Sequence, residues 1–304
     1  MGDQGLSSFV LILSLVFATY GVAVIEEWVS TNRFRLTGPA ISTLRLLGKE
    51  NILPRKPDRL FFEAGPILLL IASLMSLAII PLAPGLIATD LATGALFFNA
   101  ALAYVLVALI MAGWGPDGAY GMIGGWRFLG QLIAYAMLVV MPITTVAMRA
   151  ESLSTIDIVK SQEMLWNIAY QPLGFLLFLF AGMAMAFIPP FDLPVAKGEL
   201  AGGVEAEYTG ARLIIFRLGR MVLILSVSSA IVVFYLGGWL GPALSPWAWS
   251  MTKILLVAML MLTAGRMLPR IREATLLAWS WKLGIPLALA NIFLVGILVL
   301  VVPL

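Results

Sequence analysis

The stretch that decides the fold runs from Met221 to Leu240 and reads MVLILSVSSAIVVFYLGGWL, without a single charged residue. At the helical rise of about 1.5 Å per residue, this length matches the hydrocarbon thickness of a bilayer. Because lipid offers the backbone no hydrogen-bonding partners, we expect such a stretch to be a helix. Seven further apolar stretches have similar length: Phe9–Ile25, Ala64–Leu82, Leu91–Ala112, Phe128–Val146, Pro172–Ile188, Trp249–Ala264 and Leu283–Val302.

The composition supports the same conclusion. Of the 304 residues, 61% are hydrophobic and only 12% are charged, whereas soluble proteins are typically about 25% charged. This surplus of apolar side chains indicates contact with a bilayer. We therefore predict an all-α polytopic integral membrane protein. It would form one transmembrane domain over residues 1–304, with about eight transmembrane helices.

The chain contains no cysteine and no histidine. These residues supply the usual ligands of zinc, haem iron, copper and iron–sulfur clusters, so we predict no metal site in this chain. Catalysis by Ser-His-Asp or Cys-His arrangements is excluded for the same reason. If the protein takes part in redox chemistry, partner subunits must carry the redox centres.

The basic residues predict the orientation in the membrane. Most of the 19 lysines and arginines fall in the loops on one side of the predicted spans, and such loops face the cytoplasm. The predicted cytoplasmic loops are 26–63, 113–127, 189–220 and 265–282. With eight spans, both termini lie on the non-cytoplasmic side.

Residues 40–50 within the first cytoplasmic loop are predicted to form an amphipathic helix. Ile41, Leu44 and Leu47 recur at helical spacing, while Arg45 and Lys49 lie elsewhere on the helix. Such a helix either lies on the lipid surface or forms part of a docking platform for a partner. The sequence leaves both possibilities open.

The most informative segment is residues 188–210, IPPFDLPVAKGELAGGVEAEYTG. Its two prolines end the fifth span, because each removes a backbone donor and disfavours helix before it. Its acidic residues stand among apolar ones, so they belong either to a solvated loop or to partly buried carboxylates. Partial burial would raise their pKa values and suit them to proton exchange. The acids are Asp192, Glu199, Glu205 and Glu207.

This segment resembles the signature of the H subunit of the bacterial NADH:quinone oxidoreductase, the respiratory complex I. Further segments are similar to that family in the same order, over nearly the whole chain. They are residues 39–50 (PAISTLRLLGKE), 112–114 (AGW), 153–162 (LSTIDIVKSQ), 171–175 (QPLGF), 268–272 (LPRIR) and 281–282 (WK).

The resemblance implies a multi-pass subunit of the bacterial inner membrane, at the heel of the membrane arm. Such a subunit does no flavin or iron–sulfur chemistry. FMN and the clusters lie on partner subunits, and quinone is the substrate of the complex, so the isolated chain should be inactive. Its partners would be the other membrane and peripheral subunits, quinone and the bilayer, with no nucleic acid.

The resemblance also implies roles for particular residues. The implied quinone-chamber residues are Arg33, Arg35, Trp126, Phe191, Asp192 and Tyr208. The proton-coupling candidates are Asp192, Glu199, Glu205 and Glu207. The residues expected at the contact with the peripheral arm are Arg45, Lys49, Arg270 and Arg272.

Several family acids are replaced in this chain. Ala136, Val195, Lys197 and Arg220 occupy positions where the family pattern has acidic residues. By the predicted limits, no Asp or Glu lies inside a span, and Lys253 lies near a span end from which it could snorkel. The expectation of a quinone chamber is therefore stronger than that of a proton relay, which normally needs buried carboxylates.

Two other functions compete with this one. The related membrane subunit of a membrane-bound hydrogenase or formate-hydrogenlyase complex would fit the compact first loop. The segments at 112–114, 171–175 and 281–282 favour the quinone branch instead. A stand-alone secondary transporter would need a mid-membrane ionisable site, which the predicted spans lack.

Overall fold

A computed structural model of the chain describes residues 2–242 and 244–301, and all regular structure in them is helical. Val302, the last residue of the final predicted span, lies outside the described residues. Two short 3-10 turns cover Leu193–Val195 and Gly203–Glu205, and a π-helical turn covers Ser280–Gly284. The α-helices are α1 (Gly2–Thr31), α2 (Gly38–Leu47), α3 (Arg59–Ala78), α4 (Gly94–Trp114), α5 (Ala119–Ala150), α6 (Thr155–Lys160), α7 (Asn167–Tyr170), α8 (Pro172–Met185), α9 (Gly210–Tyr235), α10 (Pro246–Met267), α11 (Glu273–Trp279) and α12 (Ile285–Val301).

Seven helices within the described part of the chain are long and apolar enough to cross a membrane. They confirm the prediction of an all-α polytopic membrane protein. The last of them, Glu273–Val301, runs without a break through α11, the π-helical turn and α12. The seven are Phe9–Thr31, Arg59–Ala78, Gly94–Trp114, Ala119–Ala150, Gly210–Tyr235, Pro246–Met267 and Glu273–Val301.

The fifth predicted span, Pro172–Ile188, is only partly helical. α8 has 14 residues, or about 21 Å of helix, which is less than the roughly 30 Å of a hydrocarbon core. The helix ends because Phe187 takes a left-handed φ of 39°. Backbone bonds from Ile188 N to Met183 O (3.0 Å) and from Phe187 N to Ala184 O (3.1 Å) then close the terminus, as in a Schellman motif.

The helices also extend past the predicted span limits on the side of the basic loops. α1 continues to Thr31, so Glu26 and Glu27 belong to a helix, and α3 begins early enough to include Glu63. The prediction that no acid lies inside a span is therefore wrong for these helices. Hydropathy drops at a charged residue, so it predicts the end of a span there. The helix continues past that residue where the charged side chain has a partner.

The predicted amphipathic segment 40–50 is helical from Gly38 to Leu47. Pro39 is in its first turn, where a missing backbone N–H costs nothing. The helix has no buried residue, and Ile41, Leu44 and Leu47 are exposed. These three side chains therefore face outward from the described bundle, whereas Leu46 is partly buried against the core.

The charge-free stretch that decides the fold forms the axis of the bundle. Every residue of α9 from Val222 to Tyr235 is buried, as expected for a helix that is apolar on all sides. α9 packs against α1, α3, α8 and α10. Its contact with α3 includes a buried hydrogen bond of 2.7 Å between the hydroxyls of Ser76 and Ser226.

Lys253 does not snorkel as the sequence suggested. Its side chain is buried, and its Nζ donates hydrogen bonds to the carbonyls of Leu236 (2.6 Å), Gly238 (3.1 Å) and Leu240 (2.8 Å). These carbonyls follow the end of α9, where no intrahelical donors remain. The ammonium also lies 4.2 Å from the centre of the Trp166 ring. Lys253 therefore caps the axial helix from α10.

We predict that Lys253→Met lowers the free energy of unfolding by about 2–4 kcal/mol, because it leaves three carbonyls at the end of α9 without their charged donor. Denaturant titration of the purified protein in detergent would measure the loss. The control is Lys160→Met, since the Lys160 side chain is exposed and lies 4.0 Å from Asp157. Equal stability of the two variants would contradict the capping role.

Candidate functional site

The first part of the acidic segment after α8 is folded into the protein, whereas residues 197–199 are exposed. Residues 191–196 are all buried. Gln131 on α5 holds the segment by donating its Nε2 to the carbonyls of Ala184 (2.6 Å) and Phe191 (2.8 Å). Buried carbonyls need such partners because an unpaired one is costly. Gln131 was not among the predicted site residues.

Two glycines allow this segment to lie directly against α5. A Cβ on Gly124 would lie 2.5 Å from the carbonyl oxygen of Pro194, and a Cβ on Gly203 would lie 2.0 Å from the same oxygen. Gly203 also has a φ of 54°, which side-chain-bearing residues rarely adopt. The two 3-10 turns therefore stack tightly on one face of α5.

Tyr208 fastens the end of the segment to the bundle. Its hydroxyl is placed to donate to the carbonyls of Phe62 (3.1 Å) and Ala112 (3.2 Å). Its ring stacks on that of Phe62 with centroids 4.6 Å apart. Burial raises the pKa of Tyr208 far above its usual range, so it stays protonated at neutral pH. These contacts make Tyr208 an anchor between α3, α4 and the segment.

Asp192 and Arg270 meet in a salt bridge of 2.7 Å. Asp192 is buried, while the Arg270 side chain is partly exposed. The backbone of Ile271 adds a hydrogen bond of 3.3 Å to the carbonyl of Pro190. The structure thus joins a residue predicted for the chamber with one predicted for the docking surface. The link ties the acidic segment to the connection between α10 and α11.

Glu199 forms the second salt bridge of the segment, with Arg127 of α5 at 2.8 Å. The Arg127 guanidinium, hydrogen-bonded to Glu199, holds the pKa of that carboxyl below its usual range. The sequence suggested partial burial and a raised pKa, but Glu199 is exposed. For this residue the neighbouring guanidinium outweighs desolvation. Glu205 and Glu207 are half-buried in the second 3-10 turn and just after it.

Among the remaining predicted site residues, Lys49 and Arg272 lie beside the acidic segment. A Cβ on Gly210, at the end of the segment, would lie 3.0 Å from the Lys49 carbonyl oxygen, and the charge of Arg272 helps to lower the pKa of Glu199. Arg33 and Arg35 share a separate open cleft of about 330 Å³ with Glu27 and Thr31. Trp126 is exposed on α5. The other three predicted docking residues are exposed on α2, just after it, and just before α11: Arg45, Lys49 and Arg272.

Two further ion pairs join helices that are distant in sequence, and no sequence pattern predicted either. Arg220 of α9 donates to Glu26 of α1 at 2.8 Å, with both side chains mostly buried. Arg212 of α9 donates through Nε to both carboxylate oxygens of Glu63 on α3 at 3.0 Å. Both arginines stand in loop 189–220 of the prediction, where the positive-inside rule alone explained them.

The replaced family positions differ in their surroundings. Val195 is buried in the first 3-10 turn, Lys197 is exposed, and Ala136 is half-buried on α5. Arg220 is the position with a new partner, Glu26. Among the described residues, no group of three or more acidic side chains is arranged to hold a metal ion.

The Arg127–Glu199 pair predicts a pH dependence. Because the pKa of Glu199 is lowered on folding, the pair stabilises the protein above the unfolded pKa of about 4.3 and loses this contribution as pH falls through the lower folded value. A double-mutant cycle with Arg127→Met and Glu199→Gln should give a coupling below about 1 kcal/mol at pH 7, since the pair is exposed. A coupling that persists in strong acid would contradict this assignment.

The Glu26–Arg220 pair predicts a larger effect. Arg220→Met leaves a mostly buried carboxylate unpaired and should cost about 3–5 kcal/mol of stability. Removing both charges with Glu26→Gln and Arg220→Met should cost clearly less, because no lone charge remains. Thermal unfolding of the purified variants measures both. A double variant at least as unstable as the single one would contradict the explanation by a lone buried charge.

The comparisons with known proteins agree with this architecture. A family model described as NADH dehydrogenase matches residues 8–296. An H subunit of the NADH-quinone oxidoreductase of Geobacter sulfurreducens is 36% identical over 93% of this chain and 90% of its own length. The H subunits of Bacillus mycoides (34% identical, 97% and 93% covered) and Dehalococcoides mccartyi (35% identical, 89% and 76% covered) are also similar. The chain therefore belongs to the NADH dehydrogenase family, and its resemblance to the H subunit of NADH-quinone oxidoreductase is confirmed.

Proposed function

We propose that this chain is the membrane subunit of a complex I-type, proton-translocating quinone oxidoreductase, where it forms the quinone-access chamber. It would also join the peripheral arm to the membrane arm, and it would have no activity alone. The observation that carries the proposal is the acidic segment 188–210. This segment is packed into the bundle through Gln131 and Tyr208 and is joined to the α10–α11 connection by Asp192 and Arg270.

The chemistry of the segment suits a quinone chamber wall. A quinone needs an apolar surface for its ring and a few polar groups that fix its orientation. Phe191 supplies apolar surface beside the carboxylate of Asp192, and both are buried. Tyr208 supports the wall from behind, while Trp126 and the pair Arg33 and Arg35 are proposed on the approach to the chamber. NADH, or ferredoxin as an alternative donor, would deliver electrons through FMN and iron–sulfur clusters on partner subunits.

Proton coupling is proposed at the segment itself. Asp192, Glu205 and Glu207 are buried or half-buried there, so changes in nearby charge would act on them strongly. Glu199 is less suited to proton exchange at neutral pH because Arg127 lowers its pKa. A relay continuing along α9 would meet Arg220, a permanent cation paired with Glu26.

We propose that α8, extended by residues 186–188, makes an eighth crossing, so that the basic loops face the cytoplasm of a bacterial inner membrane and both termini lie outside. This orientation puts α2 and the start of α11 on the side of the peripheral arm. Arg45, Lys49 and Arg272 are exposed there and would bind acidic surfaces of peripheral subunits.

The test is quinone reduction and proton uptake by the intact complex reconstituted in liposomes. Asp192→Asn should lower quinone reduction at least about tenfold, or about 1.4 kcal/mol of transition-state stabilisation. It removes the charge that holds Arg270 and the chamber wall in place. The matched control is Asp157→Asn. It also removes a carboxylate that is paired with a basic residue, but this pair is exposed and lies outside the acidic segment.

The outcomes separate the possible functions. Quinone-dependent turnover with a proton gradient supports the proposal and means that the replaced acids are bypassed. Turnover without a gradient retains the quinone site and removes the pumping role. Hydrogen production without quinone turnover would favour the hydrogenase-type alternative.

A further inference from the structure

The turn that joins α1 to α2 lies apart from the acidic segment. Its open cleft of about 330 Å³ is lined by Glu27, Thr31, Arg33 and Arg35. Both arginines are exposed, and no carboxylate among the described residues forms a salt bridge with either. Glu27 contributes one negative charge to the lining and the two arginines contribute two positive charges, so the lining has an excess of one positive charge.

The turn is held in one shape by contacts that do not involve these two arginines. The ring of Phe34 lies edge-on against Trp28, with centroids 6.2 Å apart. The hydroxyl of Tyr20 donates to the carbonyl of Leu36. Arg266 of α10 donates to the side chain of Asn32 at 2.7 Å. The chain between Asn32 and Leu36 is thus folded back along α1, with Arg33 and Arg35 in the same cleft.

Glu27 does not neutralise the cleft. Its carboxylate packs directly on Gly38, where a Cβ would lie 2.0 Å from the Glu27 Oε1 atom. Gly38 is the first residue of α2, and the N-terminus of a helix carries partial positive charge that favours a carboxylate. The Glu27 carboxylate therefore lies against the first residue of α2, and the lining keeps an excess of one positive charge for another anion.

The position of the cleft along α1 corresponds to the lipid headgroups. α1 has 30 residues, about 45 Å of helix, which equals the thickness of a bilayer with its headgroup regions. Leu13, Phe17 and Tyr20 lie on the same helical face as Glu27 and Thr31, because successive members are one or two helical turns apart. The first three are exposed. An apolar track therefore leads from the cleft towards the membrane interior.

We propose that this cleft binds an anionic phospholipid of the cytoplasmic leaflet. Arg33 and Arg35 hold its phosphate, and its acyl chains lie along Phe17 and Leu13. In a zwitterionic headgroup such as phosphatidylcholine an ammonium group offsets the phosphate charge. In an anionic phospholipid the phosphate charge is not offset, and two guanidinium groups can both donate hydrogen bonds to it. A soluble partner could not follow the apolar track into the bilayer. The inference uses the orientation proposed above but does not depend on quinone chemistry.

The probe is short-chain phosphatidylglycerol, titrated into the intact detergent-solubilised complex and counted by native mass spectrometry. Phosphatidylcholine of the same chain length tests the headgroup charge. We expect the variant with Arg33→Gln and Arg35→Gln to bind phosphatidylglycerol about tenfold more weakly than the wild type. The matched control carries Arg55→Gln and Lys56→Gln, which removes two exposed charges from the same loop outside the cleft.

Loss of phosphatidylglycerol binding in the cleft variant alone, with phosphatidylcholine unaffected, supports the proposal. Equal losses in the two variants would show a general effect of charge and overturn it. Displacement of the lipid by millimolar inorganic phosphate would indicate a free-anion site and overturn the lipid assignment. Loss of a peripheral subunit from the cleft variant, seen in the same spectra, would assign the arginines to protein docking instead. The single variants Arg33→Gln and Arg35→Gln serve if the double variant does not assemble.

Discussion

The structure depends on how backbone polar groups are satisfied where α8 stops. A short helix that ends inside a membrane protein leaves carbonyls that lipid cannot bind, so irregular backbone at that depth must be buried in protein. Gln131 supplies donors to two of these carbonyls, and Gly124 lets the segment approach α5 closely enough to be covered. The buried acidic segment exists because α5 provides both the donors and the space. The proposed chamber and the fold therefore share the same supports.

The arginines of the basic loops do more than set the orientation. The side chains of Arg212 and Arg220 on α9 form salt bridges with α3 and α1. Those of Arg127 and Arg270 form salt bridges with the acidic segment. Each pairs with a carboxylate that is distant in sequence. The positive charge proposed to keep these loops in the cytoplasm also joins the helices at that end. Because these arginines pair with carboxylates, acidic residues lie in the helix ends beyond the limits of the apolar stretches.

Hydropathy was sufficient to predict the long spans and the amphipathic helix, because these depend on runs of neighbouring residues. Hydropathy predicted the end of α8 too late, because residues 186–188 are as apolar as the helix before them. The helix ends there because Phe187 has a left-handed backbone conformation. The roles of Lys253 and Glu26 could not be predicted from the sequence. Glu26 meets a partner 194 positions away, and no local pattern reports such a pairing. The sequence pattern identified the acidic segment. Nothing in the sequence distinguishes its supports, Gln131 and Gly124, from other residues of a helix.

The arginine at position 220 places a mostly buried cation on α9. A mostly buried guanidinium is costly unless a carboxylate neutralises it, and removing either partner leaves an uncompensated charge. Once Arg220 is present, Glu26 is held as its counter-ion. A proton route along the half of α9 that begins at Gly210 would have to pass this fixed pair. We therefore propose proton coupling at the acidic segment, where Asp192, Glu205 and Glu207 remain, and not along α9.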